Sequence, residues 1–166
     1  KANIQNAFDQ LLVRLLSILN KDTSLKYLRT CRKKYLEGRA PDCTFTYKNV
    51  NIDIDKQYKC LQDVAVCLGE IKSSSNPITD AGSIGQLLLY LTILLLKQTR
   101  ERIYGFLINI KYITFYYAEK KPHSDLYDYY QSEFFKLFND LSETSSSSSS
   151  VNMKTTNEQS KNKLYK

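Results

Sequence analysis

The stretch Val64-Ala65-Val66-Cys67-Leu68-Gly69-Glu70-Ile71-Lys72 contains the pattern on which the expected fold depends. It is almost continuously apolar until its charged end, which predicts a central strand covered on both faces. Side chains alternate along a strand, so Glu70 and Lys72 share one face and Ile71 lies on the other. Charged groups at the tip of a buried strand are costly unless they are paired. This strand end is therefore the first candidate for a functional site.

A second acidic residue is expected to lie on a neighbouring strand. Pro41-Asp42 precedes a β-favouring run, Cys43 to Tyr47, and the polar turn Lys48-Asn49 leads to a second run over 50–54. These two runs predict a hairpin. If the first run pairs beside the Glu70 strand, the Asp42 carboxylate converges on Glu70 and Lys72.

A long apolar helix is predicted behind this strand end. It follows the Ser-rich loop 73–82 and covers about 84–99, with apolar residues around most of its circumference. Gln86 and Tyr90 lie one turn apart on the same face of this helix. Ser83 to Gln86 also matches a capping box, so an active-site role and a capping role for Gln86 both stay open.

The remaining elements complete an α/β class, with a mixed central sheet flanked by helices in residues 1–141. The sequence predicts helices over 8–19, 24–36 and 125–141, and a second β-hairpin over 103–109 and 112–118. Residues 142–166 include six consecutive serines and are too polar to bury a core, so they are predicted to be a disordered tail.

Charge and composition limit the partners and the compartment. The 166 residues carry a net charge of +7, with a pI near 9.1, which favours a polyanion such as nucleic acid or anionic lipid. The longest apolar run, 84–96, is shorter than the about 20 residues of a spanning helix, so no membrane span is predicted. No secretion signal is visible and the sequence starts at Lys1, which predicts an intracellular piece, in nucleus or cytoplasm, of a longer chain.

The four cysteines do not favour a zinc site. Cys31, Cys43, Cys60 and Cys67 lack the spacing of two to four residues that lets one turn hold a zinc ion from both sides. They are predicted to be reduced thiols in the core.

The two carboxylates of Asp42 and Glu70, with the backbone carbonyl of Ile71, form the hard oxygen set that Mg²⁺ or Mn²⁺ prefers. Lys72 would stabilise negative charge on a phosphate attacked by water. The alternative is a plain salt bridge from Lys72 to Glu70 or Asp42. A second Glu-x-Lys, Glu119-Lys120-Lys121, lies in a Lys-rich loop and is predicted to be solvated charge.

In these residues the chain resembles the PD-(D/E)XK phosphodiesterase superfamily, which includes restriction endonucleases. The resemblance covers about 8–138 and implies a restriction-endonuclease-like fold: a helix, strands bearing Pro-Asp and Glu-x-Lys, a helix and further strands. It implies that Asp42 and Glu70 are metal ligands and that Lys72 is the catalytic lysine. Gln86 and Tyr90 resemble the Gln-x-x-x-Tyr of many members.

A narrower likeness, over 85–90, 102–107 and 113–116, is to the nuclease-like domains of large eukaryotic Crinkler-type and related mobile-element-like proteins. The superfamily often places an acidic residue of the first helix at the metal site. Here the candidates are Asp9 and, before the first strand, Glu37, and neither matches the pattern.

The expected function is therefore that of a Mg²⁺- or Mn²⁺-dependent endonuclease that hydrolyses DNA, with Asp42, Glu70, Lys72 and Gln86 in the site. The basic side of the second predicted helix would contact nucleic acid through Arg29, Arg32, Lys33 and Lys34. Two alternatives stay open: a catalytically inactive nuclease fold that binds nucleic acid or protein within a larger effector, and a basic scaffold for anionic lipid or an acidic partner. A homodimer is also compatible with the sequence.

Overall fold

A computed structural model describes residues 2–73, 77–124 and 126–137. Within them the chain forms an α/β domain with a seven-stranded mixed sheet. The elements in chain order are α1 (Ala2–Ile18), β1 (Leu25–Arg29), β2 (Cys43–Tyr47), a 3-10 turn (Tyr58–Cys60), α2 (Leu61–Val64), β3 (Cys67–Ile71), α3 (Ala81–Gln98), β4 (Arg102–Ile108), β5 (Tyr112–Lys120), β6 (Tyr127–Gln131) and β7 (Phe135–Lys136).

The strands lie in the order β1-β2-β3-β4-β5-β6, and the short β7 also pairs with β5. The β3–β4 pair is parallel, and the other pairs are antiparallel. A parallel pair needs a long crossover, and α3 supplies it. The predicted mixed sheet with flanking helices is thus confirmed at the level of class.

The face of the sheet toward α3 forms the larger core. Leu87, Leu91 and Leu94 of α3 are fully buried against β3 and β4. A Cβ added at Gly105 would lie 3.1 Å from a side-chain carbon of Leu87 and 3.0 Å from one of Leu91. The glycine in β4 therefore allows α3 to pack this closely on the sheet.

The opposite face carries α1. Ile4, Phe8, Leu12 and Leu16 recur along one side of this helix and pack on the second core cluster. That cluster consists of Cys43, Phe45, Val66, Ile71, Phe106 and Ile108.

Two predicted elements are confirmed with small shifts of their ends. The long helix begins at Ala81 rather than Ile84, because Asp80 caps it by accepting a hydrogen bond from the Ser83 N–H at 2.8 Å. Gln86 is therefore beyond the first turn, and the capping box from Ser83 to Gln86 is wrong. The hairpin of β4 and β5 is present as predicted.

By length and composition alone, α3 would be long and apolar enough to cross a membrane. Seven of its residues are buried inside the domain, and buried core helices of soluble proteins pass the same test.

The helix predicted over 24–36 is wrong. Leu25–Arg29 is instead the strand β1, which pairs with β2 in register from Leu25 opposite Tyr47 to Arg29 opposite Cys43. β1 and β3 occupy both edges of β2, so 50–54 is not the second arm of the predicted hairpin. Apolar spacing of three residues suggested a helix, but strand pairing determines the conformation here.

The last predicted helix, 125–141, is also wrong where the structure describes it. Residues 127–131 form β6, which pairs with β5, and 135–136 form β7. Aromatic cross-strand pairing favours this outcome, since the rings of Tyr130 and Tyr117 stack with centroids 4.4 Å apart. Residues 138–141 and the predicted tail, 142–166, lie outside the described residues.

The predicted central strand is shorter than expected. Leu61–Val64 forms the helical turn α2, and the strand β3 begins only at Cys67. Its charged end is retained, because Glu70 and Ile71 are still paired with β4.

Candidate active site

The start of β2 and the end of β3 bring the two predicted carboxylates together. Cys43 lies opposite Gly69 in the antiparallel register, which places Asp42 beside the charged end of β3. The Asp42 Oδ2 atom accepts a hydrogen bond from the Ile71 N–H at 3.0 Å. Asp42 and Glu70 are both buried, with 5% and 2% of their surface exposed.

Lys72 connects this pair to α3. Its Nζ lies 3.3 Å from Glu70 Oε2 and donates to Gln86 Oε1 at 2.9 Å. The Gln86 Nε2 group in turn donates to the Tyr90 hydroxyl at 2.6 Å. The structure thus joins Glu70, Lys72, Gln86 and Tyr90 in one chain of hydrogen bonds on the α3 side of the sheet.

The backbone of β3 exposes a third oxygen in the same direction as Asp42. The Lys72 N–H donates to the Ile108 carbonyl of β4 at 2.8 Å. The N–H and C=O groups of one strand residue point to the same edge of the strand, and those of the next residue point to the opposite edge, so the backbone groups of Ile71 point toward Asp42. The Ile71 carbonyl therefore lies on the edge where the two carboxylates meet.

The charged groups of the site, Asp42, Glu70 and Lys72, are all buried. The carboxylates of Asp42 and Glu70 and the ammonium of Lys72 meet where the start of β2 lies beside the end of β3, and burial strengthens their interactions. Burial raises the pKa of Tyr90 above its usual value, and the negative charges of Glu70 and Asp42 raise that pKa further. Tyr90 therefore stays a neutral phenol that receives the Gln86 hydrogen bond at physiological pH.

A buried polar network behind Asp42 was not predicted from the sequence. The Thr30 hydroxyl donates to the Pro41 carbonyl at 2.8 Å, and the Thr30 N–H donates to the Asp42 carbonyl at 3.2 Å. Thr44 links the Thr30 hydroxyl, at 2.8 Å, to the Tyr35 hydroxyl, at 2.6 Å. Only the β1–β2 register brings these residues together, so no local pattern could have revealed them.

Arg39 is a further residue near the site that the sequence did not indicate. Leu36 and Arg39 exchange two backbone hydrogen bonds around a tight turn, in which Glu37 and Gly38 have φ angles of 48° and 79°. Opposite residues in such a pair project to the same side, and Leu36 is buried in the α3-side core. The charge of the exposed Arg39 also lowers the pKa of Tyr90. Arg39 thus places a cation at the edge of the site.

The predicted basic helical face is wrong, because those residues lie on a strand and in the following turn. Arg29, at the end of β1, pairs with Asp9 at 3.1 Å. Lys33 pairs with Asp55 at 2.8 Å. Arg32 has a positive φ of 79° in the turn and, like Lys34, is exposed.

Neither acidic candidate before β2 reaches the site. Asp9 belongs to α1, on the opposite face of the sheet, where its carboxylate accepts a hydrogen bond from the Tyr27 hydroxyl. Glu37 pairs with Lys97 at 3.4 Å. Among the residues that the structure describes, no group of three His, Cys, Asp or Glu side chains is arranged to hold a metal ion.

The second Glu-x-Lys is arranged differently from the first. Glu119 pairs with Arg102 at 2.7 Å and Lys121 pairs with Asp128 at 3.1 Å, all at the protein surface. It therefore provides a matched control for the buried Glu70 and Lys72.

Comparisons with models of protein families, with curated proteins and with solved structures return no match for this chain. Function is therefore inferred from the geometry of the site and from the motifs that its residues carry.

Proposed function

We propose that the chain is a metal-dependent phosphodiesterase that hydrolyses DNA with an attacking water. The observation that carries this proposal is the bond from the Ile71 N–H to Asp42, which joins Asp42 to the strand end bearing Glu70 and Lys72. A carboxylate pair with an adjacent ammonium is suited to bind a cation and to neutralise a phosphate.

The element order supports the proposed restriction-endonuclease-like fold. α1 is followed by strands bearing Pro41-Asp42 and Glu70-Ile71-Lys72, then by α3 and further strands. This is the order that the resemblance to the PD-(D/E)XK superfamily implies. The narrower resemblance to Crinkler-type proteins stays a prediction.

The donor set fits Mg²⁺ or Mn²⁺. Asp42, Glu70 and the Ile71 carbonyl offer only oxygen atoms, and Mg²⁺ binds to few protein ligands because it keeps several waters. A bound Mg²⁺ would supply an acidified water and neutralise charge on the phosphate. Because no third acidic side chain joins these two among the described residues, we propose a single metal ion.

Lys72 and its neighbours on α3 supply the remaining polar groups. The Lys72 ammonium can donate to a phosphate oxygen while it keeps its contact with Glu70, since it has three hydrogens. Gln86 accepts one of these hydrogens and fixes the direction of the ammonium. Tyr90 receives the Gln86 amide and fixes its orientation in turn, so Tyr90 is a positioning residue.

Arg39 would bind the DNA backbone next to the scissile bond. It is exposed, it lies three residues before Asp42, and its guanidinium donates to the Glu37 carbonyl at 3.3 Å. An arginine in this position can contact phosphate with two parallel hydrogen bonds. Contact of Arg29, Arg32, Lys33 and Lys34 with nucleic acid stays a prediction, although these residues lie on β1 and in the following turn rather than on a helix.

A second candidate function is the inactive nuclease fold that binds nucleic acid or protein. The observation in its favour is that Lys72 contacts Glu70 directly while Asp9 stays on the other face of the sheet. Such an ion pair also stabilises a site that binds no metal. The lipid-scaffold alternative stays a prediction, which a vesicle-binding assay tests.

Cleavage of supercoiled and linear duplex DNA tests the proposal. We expect nicking with Mg²⁺ or Mn²⁺, none with a chelator, and none with Asp42→Asn, Glu70→Gln or Lys72→Met. Glu119→Gln is the matched control and should cleave like the wild type. Divalent-dependent cleavage that persists in Glu70→Gln would refute the proposed site. DNA binding without any cleavage would favour the inactive fold.

A further inference from the structure

The face of the sheet that points away from α3 is only partly covered by α1. Beyond α1, the strands β4 to β7 present five rings on this face, here called the aromatic face. It consists of Tyr104, Phe115, Tyr117, Tyr130 and Phe135. The cross-strand register places Tyr104 opposite Tyr117 and Tyr117 opposite Tyr130.

The rings form a connected surface. Tyr117 stacks on Tyr130 with centroids 4.4 Å apart and contacts Tyr104 at 6.0 Å. Phe115 and Phe135 lie 5.9 Å apart. Tyr104, Phe115 and Phe135 are exposed by 49%, 48% and 43%, which is far more than rings in a core.

The exposed side of α1 continues this apolar surface. Phe8 lies 6.2 Å from Phe106, the β4 residue opposite Phe115. Leu11 and Leu15 follow Phe8 by three and seven residues, on the same stripe of the helix. Both are about half exposed. On the side of α1, the aromatic face is thus bordered by exposed leucines.

We propose that the aromatic face binds a second copy of this chain and forms a symmetric dimer. Three half-exposed rings offer about 300 Å² of surface, since one aromatic side chain buries about 150–250 Å². Apolar patches of about 300–600 Å² on monomers are often functional. With the exposed leucines of α1, the apolar area approaches the non-polar share of a standard interface, which is about 57% of about 800 Å² per partner, or roughly 450 Å².

The charges around the aromatic face favour a copy of this chain over nucleic acid. Arg102 lies over the Tyr117 ring at 5.0 Å, but its guanidinium is paired with Glu119. Lys121 is paired with Asp128. A two-fold interface needs a self-complementary surface, and an apolar centre bordered by paired charges meets this requirement. A surface that binds a polyanion would instead be expected to present cations that no neighbouring carboxylate neutralises.

A dimer through the aromatic face would be independent of the proposed nuclease function. The candidate active site lies on the α3 side of the sheet, so a dimer through the aromatic face keeps both sites accessible. Dimerisation and cleavage can therefore be measured separately.

Sedimentation velocity from about 1 to about 200 µM protein, a range that reports micromolar dissociation constants, tests the dimer. We expect a reversible monomer–dimer equilibrium in the wild type. Phe115→Ser and Tyr104→Ser should each weaken it by about tenfold or more, because central rings carry most of the binding free energy of an interface. Leu96→Ser, which alters a residue 62% exposed on α3, is the control and should leave the equilibrium unchanged.

Amide hydrogen exchange of the wild type tests the dimer without any variant, so the test still works if a variant unfolds. In the wild type, protection of β5 should increase with protein concentration. A wild type that stays monomeric over the whole range, or a dimer that survives both folded variants, would overturn the proposal. A monomer that photo-crosslinks to single-stranded oligonucleotide at Tyr104 or Tyr117 would also overturn it, in favour of a surface for base stacking.

Discussion

The Asp42 carboxylate accepts the backbone N–H of Ile71 at 3.0 Å, and this bond joins the start of β2 to the end of β3. It satisfies a backbone donor that lies beyond the last β2–β3 pair, Cys43 opposite Gly69. Because the Asp42 side chain pairs a buried backbone donor at the end of the strand pair, the fold holds this side chain in place. The position of Asp42 therefore depends on whatever holds the Pro41-Asp42 backbone.

Thr30 is predicted to position Asp42. Thr30→Val removes the hydroxyl that bonds the Pro41 carbonyl and Thr44, and it should lower the free energy of unfolding by about 1–2 kcal/mol. It should also weaken Mn²⁺ binding, since the Asp42 backbone loses its support. Urea denaturation and Mn²⁺ titration measure the two effects.

Thr46→Val is the control for Thr30→Val. Thr46 is equally buried, but within the described part of the chain its hydroxyl has no hydrogen-bond partner. Its replacement should leave stability unchanged or increase it, with no effect on Mn²⁺ binding. Equal losses in both variants would show that Thr30 fills space only.

Glu70 and Lys72 are predicted to behave as one coupled pair. Lys72→Met leaves the buried Glu70 carboxylate without its ammonium and should cost about 3 kcal/mol of stability. The double variant Glu70→Gln/Lys72→Met should lose much less than the sum of the single losses. A denaturation cycle measures this coupling, and additive losses would contradict it. The exposed pair Arg102 and Glu119 should give a much smaller coupling.

The charged end of β3 and the helix α3 could be predicted from the sequence. The buried residues that hold Asp42 in place could not. Glu70, Lys72 and α3 were found because a long apolar run and a long helix have clear periods. The strand β1 could not be predicted, because Leu25 and Leu28 have the spacing of a helix. The segment forms a strand because it pairs with the free edge of β2, which the local sequence does not reveal. Residues such as Thr30 and Tyr35 join the site only through that pairing, so local patterns carry no trace of them.

Arg39 is predicted to contact the DNA backbone. Arg39→Gln should weaken binding to duplexes of any sequence and reduce the slope of log affinity against log salt by about 0.9 for one phosphate contact. It should leave Mn²⁺ affinity unchanged, since Arg39 is not a metal ligand. Arg14→Gln, at an exposed position of α1, is the control. An unchanged salt slope in Arg39→Gln would exclude the contact.

The cysteines are predicted to differ in reactivity, although all four were expected in the core. Burial raises the pKa of the Cys67 thiol to about 12 and raises that of Cys43 as well. At pH 8 only about one Cys67 thiol in ten thousand is then the reactive thiolate. Cys60 is exposed and should be alkylated first, as mass spectrometry of iodoacetamide-treated protein can show. Rapid labelling of native Cys43 or Cys67 would contradict this order.

Mn²⁺ binding, measured by electron paramagnetic resonance on the native protein, tests the central claim most directly. We expect one site in the wild type and in Glu119→Gln, and its loss in both Asp42→Asn and Glu70→Gln, because each variant removes one of the two proposed carboxylate ligands. Circular dichroism should show that the variants stay folded. A wild type that binds no Mn²⁺, or Mn²⁺ binding that Glu70→Gln leaves unchanged, would contradict the metal site on which the proposed hydrolysis depends.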